Sequence, residues 1–252
     1  TPNEIKFRKS KFFSKMLDEL IKEPFFGFPK KALKFLKDLS IPSNNNKAWF
    51  DENRNSYEEN LKKPMRNLID TLAIEINKID PDIVVNYKSI FRINRDVRFA
   101  KDKRPYKEIY AAAFAFDRIK AAEIPAFYFH FNAKEFLFAS GQYSMDNDYL
   151  KKIRNHIFKN YNNYKAIITE KKFVKTFGNV SGESLIKLPK GYEGLNIEKE
   201  DPALIEILKM KQFYVYNNFK PDIVLKDDLP DVISEHIKIS YDFNKFLSNA
   251  IK

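Results

Sequence analysis

Between Ile109 and Gln142 the apolar residues alternate, whereas before Ile79 they recur at helical spacing, and this change of period decides the fold class. Ile109–Phe116 and Ala126–Asn132 read as strands. Glu135–Gln142 follows after a short turn at Ala133-Lys134, which makes a hairpin. Phe127, Phe129 and Phe131 share one face of the middle strand, and Tyr128 and His130 share the other. Bulk on both faces predicts a central strand covered by helices on at least one side. Ser89–Ile93 and Gln212–Phe219 read as further strands. Helical blocks flanking the strands predict an α+β single domain, a largely antiparallel sheet of about four to five strands flanked by helices.

The helical blocks carry their own signals. Pro29 opens a segment to Leu39 with Ala32, Leu33, Phe35, Leu36 and Leu39 available for an apolar face. After Asn44-Asn45-Asn46 one stripe runs from Trp49 through Tyr57, Leu61, Met65, Leu68 and Leu72 to Ile79, interrupted at Pro64, where a kink or split is expected. An Asn is expected to cap this helix, with Asp51 and Glu52 in its first turn. Glu58/Lys62 and Glu59/Lys63 are expected ion pairs on its outer face. Helices are expected from Asp146 to about Phe177, over Pro202–Lys209, and over Pro230–Ile251, the last with Ile233, His236/Ile237, Ser240, Phe243 or Asn244, Leu247 and Ile251 along one side. Residues 1–24 read as a helical N-terminal extension, with Ile5–Ile21 a docked amphipathic helix rather than a signal or transit peptide. Residues 25–252 read as the single domain.

Composition excludes several chemistries. A chain of 252 residues without cysteine has no thiol nucleophile, disulfide, Cys-based zinc site or iron–sulfur cluster. No Gly-rich phosphate loop, Gly-x-Ser-x-Gly or His-Glu-x-x-His motif is present. No apolar run approaches the ~20 residues of a membrane-spanning helix. The absence of cysteine fits a cytoplasmic setting. Lys and Arg exceed Asp and Glu by 11, which favours anionic partners. The abundance of Lys, Asn, Ile and Phe together, the pattern of an AT-rich genome, is the competing source of that excess.

The charge concentrates between Arg92 and Lys107, where seven basic residues stand against two acids, a net +5 over 16 positions. The segment joins two expected strands, so it is a loop on a rigid sheet, a common setting for a site. Arg92, Arg95 and Arg98 are spaced by three, and Arg92 and Arg98 share a face if the chain is extended. Asp96 and Asp102 are placed to hold guanidinium forks, leaving the remaining donors and Lys101, Lys103 and Lys107 for a phosphate or carboxylate. Pro105 biases Arg104 toward extended geometry before Tyr106. Cationic neighbours are expected to lower the pKa of Lys103, Tyr106 and Lys107 where they are partly buried. The alternative is an internal ion-pair network that only ties the loop down.

The same residues carry a resemblance. Phe28-Pro29, Leu36-x-x-Leu39, Asn45-Asn46-Lys47-x-Trp49-Phe50 and Tyr57 begin it. Arg92-Ile93-x-Arg95-Asp96-x-Arg98-Phe99-x-Lys101-Asp102-Lys103-x-Pro105-Tyr106-Lys107 is its strongest part, and Ser140-Gly141 and Leu188-Pro189-Lys190-Gly191-Tyr192 continue it. In this order the chain resembles the largely bacterial family called domain of unknown function 2461, from about Phe28 to the C-terminal helix. The resemblance implies an α+β single domain and no established activity, substrate or catalytic residue. Members often read Asp-His-Pro after the Gly-Tyr pair, where this chain has Glu200-Asp201-Pro202.

The other candidates have simpler readings beside the functional ones. Trp49 offers an indole to a ligand or anchors the core. Asn45 and Asn46 offer amides to a ligand or cap a helix. His130 is a half-buried strand residue or a general acid/base. Ala111, Ala112, Ala113, Ala115, Ala139, Ser140 and Gly141 leave room for a ligand or let a helix pack closely. No spacing points to a metal site, no cofactor is implied, and whether the chain is an enzyme is open. Three functions follow. The first is binding of an anionic small molecule by Arg92, Arg95, Asp96, Arg98, Lys101, Asp102, Lys103, Tyr106 and Lys107, with Trp49 and Asn46. The second is a nucleic-acid (RNA) binding module, from the stacking-plus-phosphate composition. The third is a structural or partner-binding role.

Overall fold

The computed structural model describes residues 23–116, 124–192, 194–195 and 198–251. The expected helix at Ile5–Ile21 lies outside them. The elements in chain order are α1 (Lys30–Leu39), α2 (Lys47–Glu52), α3 (Arg54–Tyr57), α4 (Lys63–Ile79), β1 (Tyr110–Phe114), β2 (Ala126–Phe131), β3 (Phe136–Gln142), α5 (Asn147–Lys159), α6 (Tyr161–Ile168), α7 (Lys171–Phe177), α8 (Pro202–Lys209), β4 (Phe213–Phe219) and α9 (Leu229–Ile251). The strands form one antiparallel sheet in the order β1-β2-β3-β4, so the fold is an α+β single domain. Residue contacts divide it into two compact units. Among the described residues, the first comprises residues 23–116, 128–138 and 218–236, and the second comprises residues 124–127, 139–192, 194–195, 198–217 and 237–251. No helix of the described residues is long and apolar enough to cross a membrane.

In the first unit the alternation of β2 is realised as read: Phe129 and Phe131 are fully buried, while Tyr128 and His130 are half-buried. Phe28 packs on Phe131, with ring centroids 4.6 Å apart. Phe35 of α1 meets Trp49, Phe50 and Tyr57 at 5.4–6.2 Å. Asn46 caps α2 by accepting a hydrogen bond from the Trp49 N–H at 3.0 Å.

The expected single stripe from Trp49 to Ile79 is broken into pieces. The chain leaves α-geometry at Asn53 and winds Glu58–Lys62 as a π-helical turn, and Pro64 stands at the start of α4. Proline has no N–H for the carbonyl one turn back, and the wide turn just before it accommodates that loss. With α2 only six residues long, Asp51 and Glu52 end it rather than open it. Lys62 pairs with Glu58 at 2.7 Å as expected, but Lys63 reaches Glu23 at 3.2 Å instead of Glu59.

Ser89–Ile93 is not a continuous strand. Asn86 accepts a hydrogen bond from the Lys88 N–H, and the Asn86 N–H donates to the Ser89 hydroxyl. This capping box winds Tyr87–Ser89 into a 3-10 turn and takes the backbone out of the ladder. Single antiparallel bridges survive, at Val84–Ala115 and Ile90–Ala112, so the segment still lies along the edge of β1.

In the second unit Ile153, Ile157, Tyr164, Phe173, Leu208, Phe213, Val215, Phe243 and Leu247 form a buried cluster. The expected long helical region is three helices, separated at Asn160 and at Thr169-Glu170. The small residues of β3 allow close packing rather than leaving space. Gly141 has φ +115°, and a Cβ there would stand 2.2 Å from the Phe213 carbonyl oxygen of β4. Asn244 of α9 donates to the Ser140 hydroxyl at 3.0 Å, both side chains being buried.

Gly141→Ala is expected to cost about 3–4 kcal/mol, because both the backbone conformation and the inter-strand approach forbid a methyl group. Urea denaturation measures it, and a loss under about 1 kcal/mol would mean the strands part easily there.

A candidate anion-binding loop

The basic segment is built from its base upward. The Phe91 N–H donates to the Ala111 carbonyl at 2.9 Å, which sets the incoming chain on β1. The Lys107 N–H donates to Ile93 O and the Arg95 N–H to Pro105 O, each at 2.8 Å, with an Asn94–Tyr106 bridge between them. The two ends of the loop therefore pair as a short ladder. Pro105 supports this by holding Arg104 extended.

A second element grips that ladder. Asn45, only 3% exposed, donates from its amide nitrogen to Tyr106 O at 3.1 Å and accepts the Tyr106 N–H at 3.0 Å. The Tyr106 ring stacks on Phe50 with centroids 4.1 Å apart and an interplanar angle of 14°. Burial raises the Tyr106 pKa, helped by the charge of Asp51, and outweighs the opposing Arg54. The expected lowering of Tyr106 is thus reversed. Lys107 does move down as expected, through burial first and then the Arg92 charge.

Within the loop the acids take the roles read for them, but with a different arginine set. Asp102 accepts from Arg95 Nη1 at 2.8 Å, from Arg104 Nη2 at 2.7 Å, and from the Arg104 N–H at 3.0 Å. Arg104 also pairs with Glu108. Asp96 accepts from Arg98 Nε at 3.0 Å and Nη2 at 2.7 Å. The Arg104 side-chain bond holds the Asp102 carboxyl well below its ordinary value of 3.8, with the Arg104 N–H and Arg95 adding to it. The Arg98 fork lowers Asp96 in the same way.

The lysines are tied as well. Lys103 Nζ donates to Val97 O at 3.0 Å, and Lys107 Nζ donates to Arg92 O at 2.9 Å while lying 5.2 Å from the Phe91 ring centroid. Asp96, which Arg98 holds, also feels the Arg92 charge, so these two arginines flank one carboxylate. Arg92 and Lys101 are exposed, and neither has a carboxylate partner among the described residues.

Trp49 and Asn46 stand apart from this constellation. Trp49 is half-buried against Phe35, and the Asn46 side chain is spent on capping α2 and on the Ser43 carbonyl, to which it donates at 2.7 Å. The residue of that run that reaches the loop is Asn45. The sequence offers Asn45, with Asn46, as a ligand-binding or capping residue but not as a clamp on the loop, and it assigns no site role to Arg104 or Glu108. The i,i+4 spacing of Arg104 and Glu108 was the available signal. His130 has Nε2 3.6 Å from Glu135, a pKa lowered by burial, and an Nδ1 without a hydrogen-bond partner. No group of three or more His, Cys, Asp or Glu side chains suited to a metal occurs among the described residues.

Asp102 is depressed in the folded state, so its contribution to stability is complete above the unfolded-state value of 3.8 and is lost as pH falls below it. Asp102→Asn should therefore be less stable than the parent at neutral pH, and the difference should shrink between about pH 5 and pH 3. Paired thermal melts test this. A constant difference would show that the ion pairs do not contribute.

The model of the family described as "Conserved hypothetical protein (DUF2461)" matches residues 31–246, which contain the loop, its Asn45 clamp and all four strands. No curated protein and no solved structure matches the chain. With most of its length covered by that one model, this chain belongs to the DUF2461 family.

Proposed function

We propose that the protein binds an anionic small molecule bearing a phosphate or carboxylate at the loop between Arg92 and Lys107. The observation that supports this most directly is the division of labour among its charges. Asp96 and Asp102 are consumed in fixing Arg98, Arg95 and Arg104, so a net +5 is held on a pinned backbone. Preorganised cations lose little freedom when an anion arrives. Arg92 and Lys101 are then the groups that meet the ligand, and Arg95 and Arg104 set the frame. The cytoplasm is the setting we propose for this activity, in keeping with a chain that has no cysteine.

One observation favours a second reading, an RNA-binding module. Phe99 at the loop tip is 96% exposed, and the Arg98 guanidinium lies 5.9 Å from its ring centroid. An aromatic face among arginines is the arrangement on which an unpaired base stacks.

A thermal-shift panel of phosphate, sugar phosphates, nucleotides, carboxylates and short single-stranded RNA tests both readings. A ligand at about 100 times its dissociation constant adds about 2.7 kcal/mol to the folded state. The double variant Arg92→Ala/Lys101→Ala should abolish that shift without lowering the unliganded melting temperature. RNA contact with about four phosphates predicts a log–log salt slope near −3, lost in part on Phe99→Ala. No shift with any compound would leave the ion pairs as a purely structural network.

A further inference from the structure

A different arginine has the opposite environment. Arg154 lies on α5 within the second unit and is only 7% exposed. Its Nε and Nη2 donate to the Met210 carbonyl at 3.2 and 2.7 Å, just beyond the end of α8. No ion pair to Arg154 is present among the described residues, and burial moves its pKa down from the ordinary arginine value. Arginine remains protonated in proteins, so this is a largely buried cation compensated only by carbonyl dipoles.

Arg154 lines an open groove of about 420 Å³ whose other walls are Tyr143, Ser144, Met145, Asn147, Leu150, Leu185, Lys211 and Gln212. No acid lines it. Asp146 accepts the Tyr149 N–H at 2.8 Å, and Glu183 pairs with Lys211 at 3.2 Å. Glu183 thus offsets the charge of Lys211, and Arg154 is the groove's cation without a carboxylate partner among the described residues. Met145, Leu150 and Leu185 supply an apolar wall, and Ser144, Asn147 and Gln212 supply polar groups. A groove of this size, apolar on one side with a few convergent polar groups, suits a small organic ligand.

We propose that this groove binds a small monocarboxylate with an apolar body, its carboxylate on the Arg154 guanidinium and its hydrocarbon against Met145, Leu150 and Leu185. A single cation of this kind matches a carboxylate better than a phosphate dianion. The planar guanidinium can donate two parallel hydrogen bonds to a carboxylate. The site is independent of the basic loop. Arg154 also satisfies a carbonyl at the end of α8, as a cation near a helix C-terminus does. That role alone would give no ligand dependence.

Calorimetric titration of the full chain with hexanoate, phenylacetate, hexanamide and inorganic phosphate tests the proposal. Saturable binding of a carboxylate is expected, with hexanamide and phosphate at least about tenfold weaker. Arg154→Gln should lose binding by a similar factor. Leu185→Trp fills the groove, leaves the guanidinium and its carbonyl contacts in place, and should abolish binding while the protein stays folded. It decides the matter if the Arg154 variant does not fold. The proposal is overturned if neither carboxylate binds saturably up to about 50 mM, far weaker than any millimolar site. It is equally overturned if hexanamide binds as well as hexanoate, or if Leu185→Trp binds like the parent.

Discussion

The pairing of the Asn45 amide with the Tyr106 peptide unit is the interaction on which the candidate site depends. It joins residues 61 positions apart and replaces, for one peptide unit, the partner strand that the sheet edge lacks there. A buried peptide group must find both a donor and an acceptor. A carboxamide is the one short neutral side chain that offers both in the right geometry. Because Asn45 is buried beside Phe50, which stacks on the same tyrosine, the backbone bond and the ring contact support each other. The cations above this anchor are exposed or only partly buried, and ion pairs near the surface are worth at most about 1 kcal/mol each. It is the buried base, then the short ladder of Ile93 with Lys107 and Arg95 with Pro105, that gives the charged tip a defined shape.

Much of the fold was legible because period and burial coincide. The alternating phenylalanines of β2 are read from sequence and lie buried in the structure, and Pro202–Lys209 has the bounds expected of it. Reading failed where a local polar interaction overrode the apolar pattern. Ser89–Ile93 has strand composition, but the Asn86 capping box offers its backbone a nearer partner. The stripe from Trp49 to Ile79 has one period on paper, yet the geometry changes three times along it, at Asn53, through the π-helical turn and at Pro64. Apolar spacing reports which face is buried. It is nearly blind to whether the backbone between two buried residues is α or π.

The site was legible in outline and not in its pairing. That the two acids hold guanidinium forks follows from the interleaving of charges, and Asp96 with Arg98 and Asp102 with Arg95 realise it. Which further arginine joins does not follow. Arg104 binds Asp102 through both its guanidinium and its backbone N–H, and Glu108 pairs with it as well. The clamping task of Asn45 was hidden for another reason. Three consecutive asparagines are equivalent in sequence, and only the register of α2 decides that Asn46 caps the helix while Asn45 points inward.

The loop and the Arg154 groove hold their positive charge in opposite environments. The loop holds seven cations, yet solvent and its own carboxylates screen most of them, so a ligand gains there mainly through the groups left over. Arg154 is one cation, but its desolvation has already been met by the fold. An anion that reaches it adds a charge partner, to which the planar guanidinium can donate two parallel hydrogen bonds. Composition points to the first arrangement at once. The second lies within an ordinary amphipathic helix, where Ile153 and Ile157 mark the buried face and Arg154 looks like the start of the exposed one. The carbonyl at the end of α8 turns it inward, which is a fact of tertiary structure that no run of neighbouring residues records.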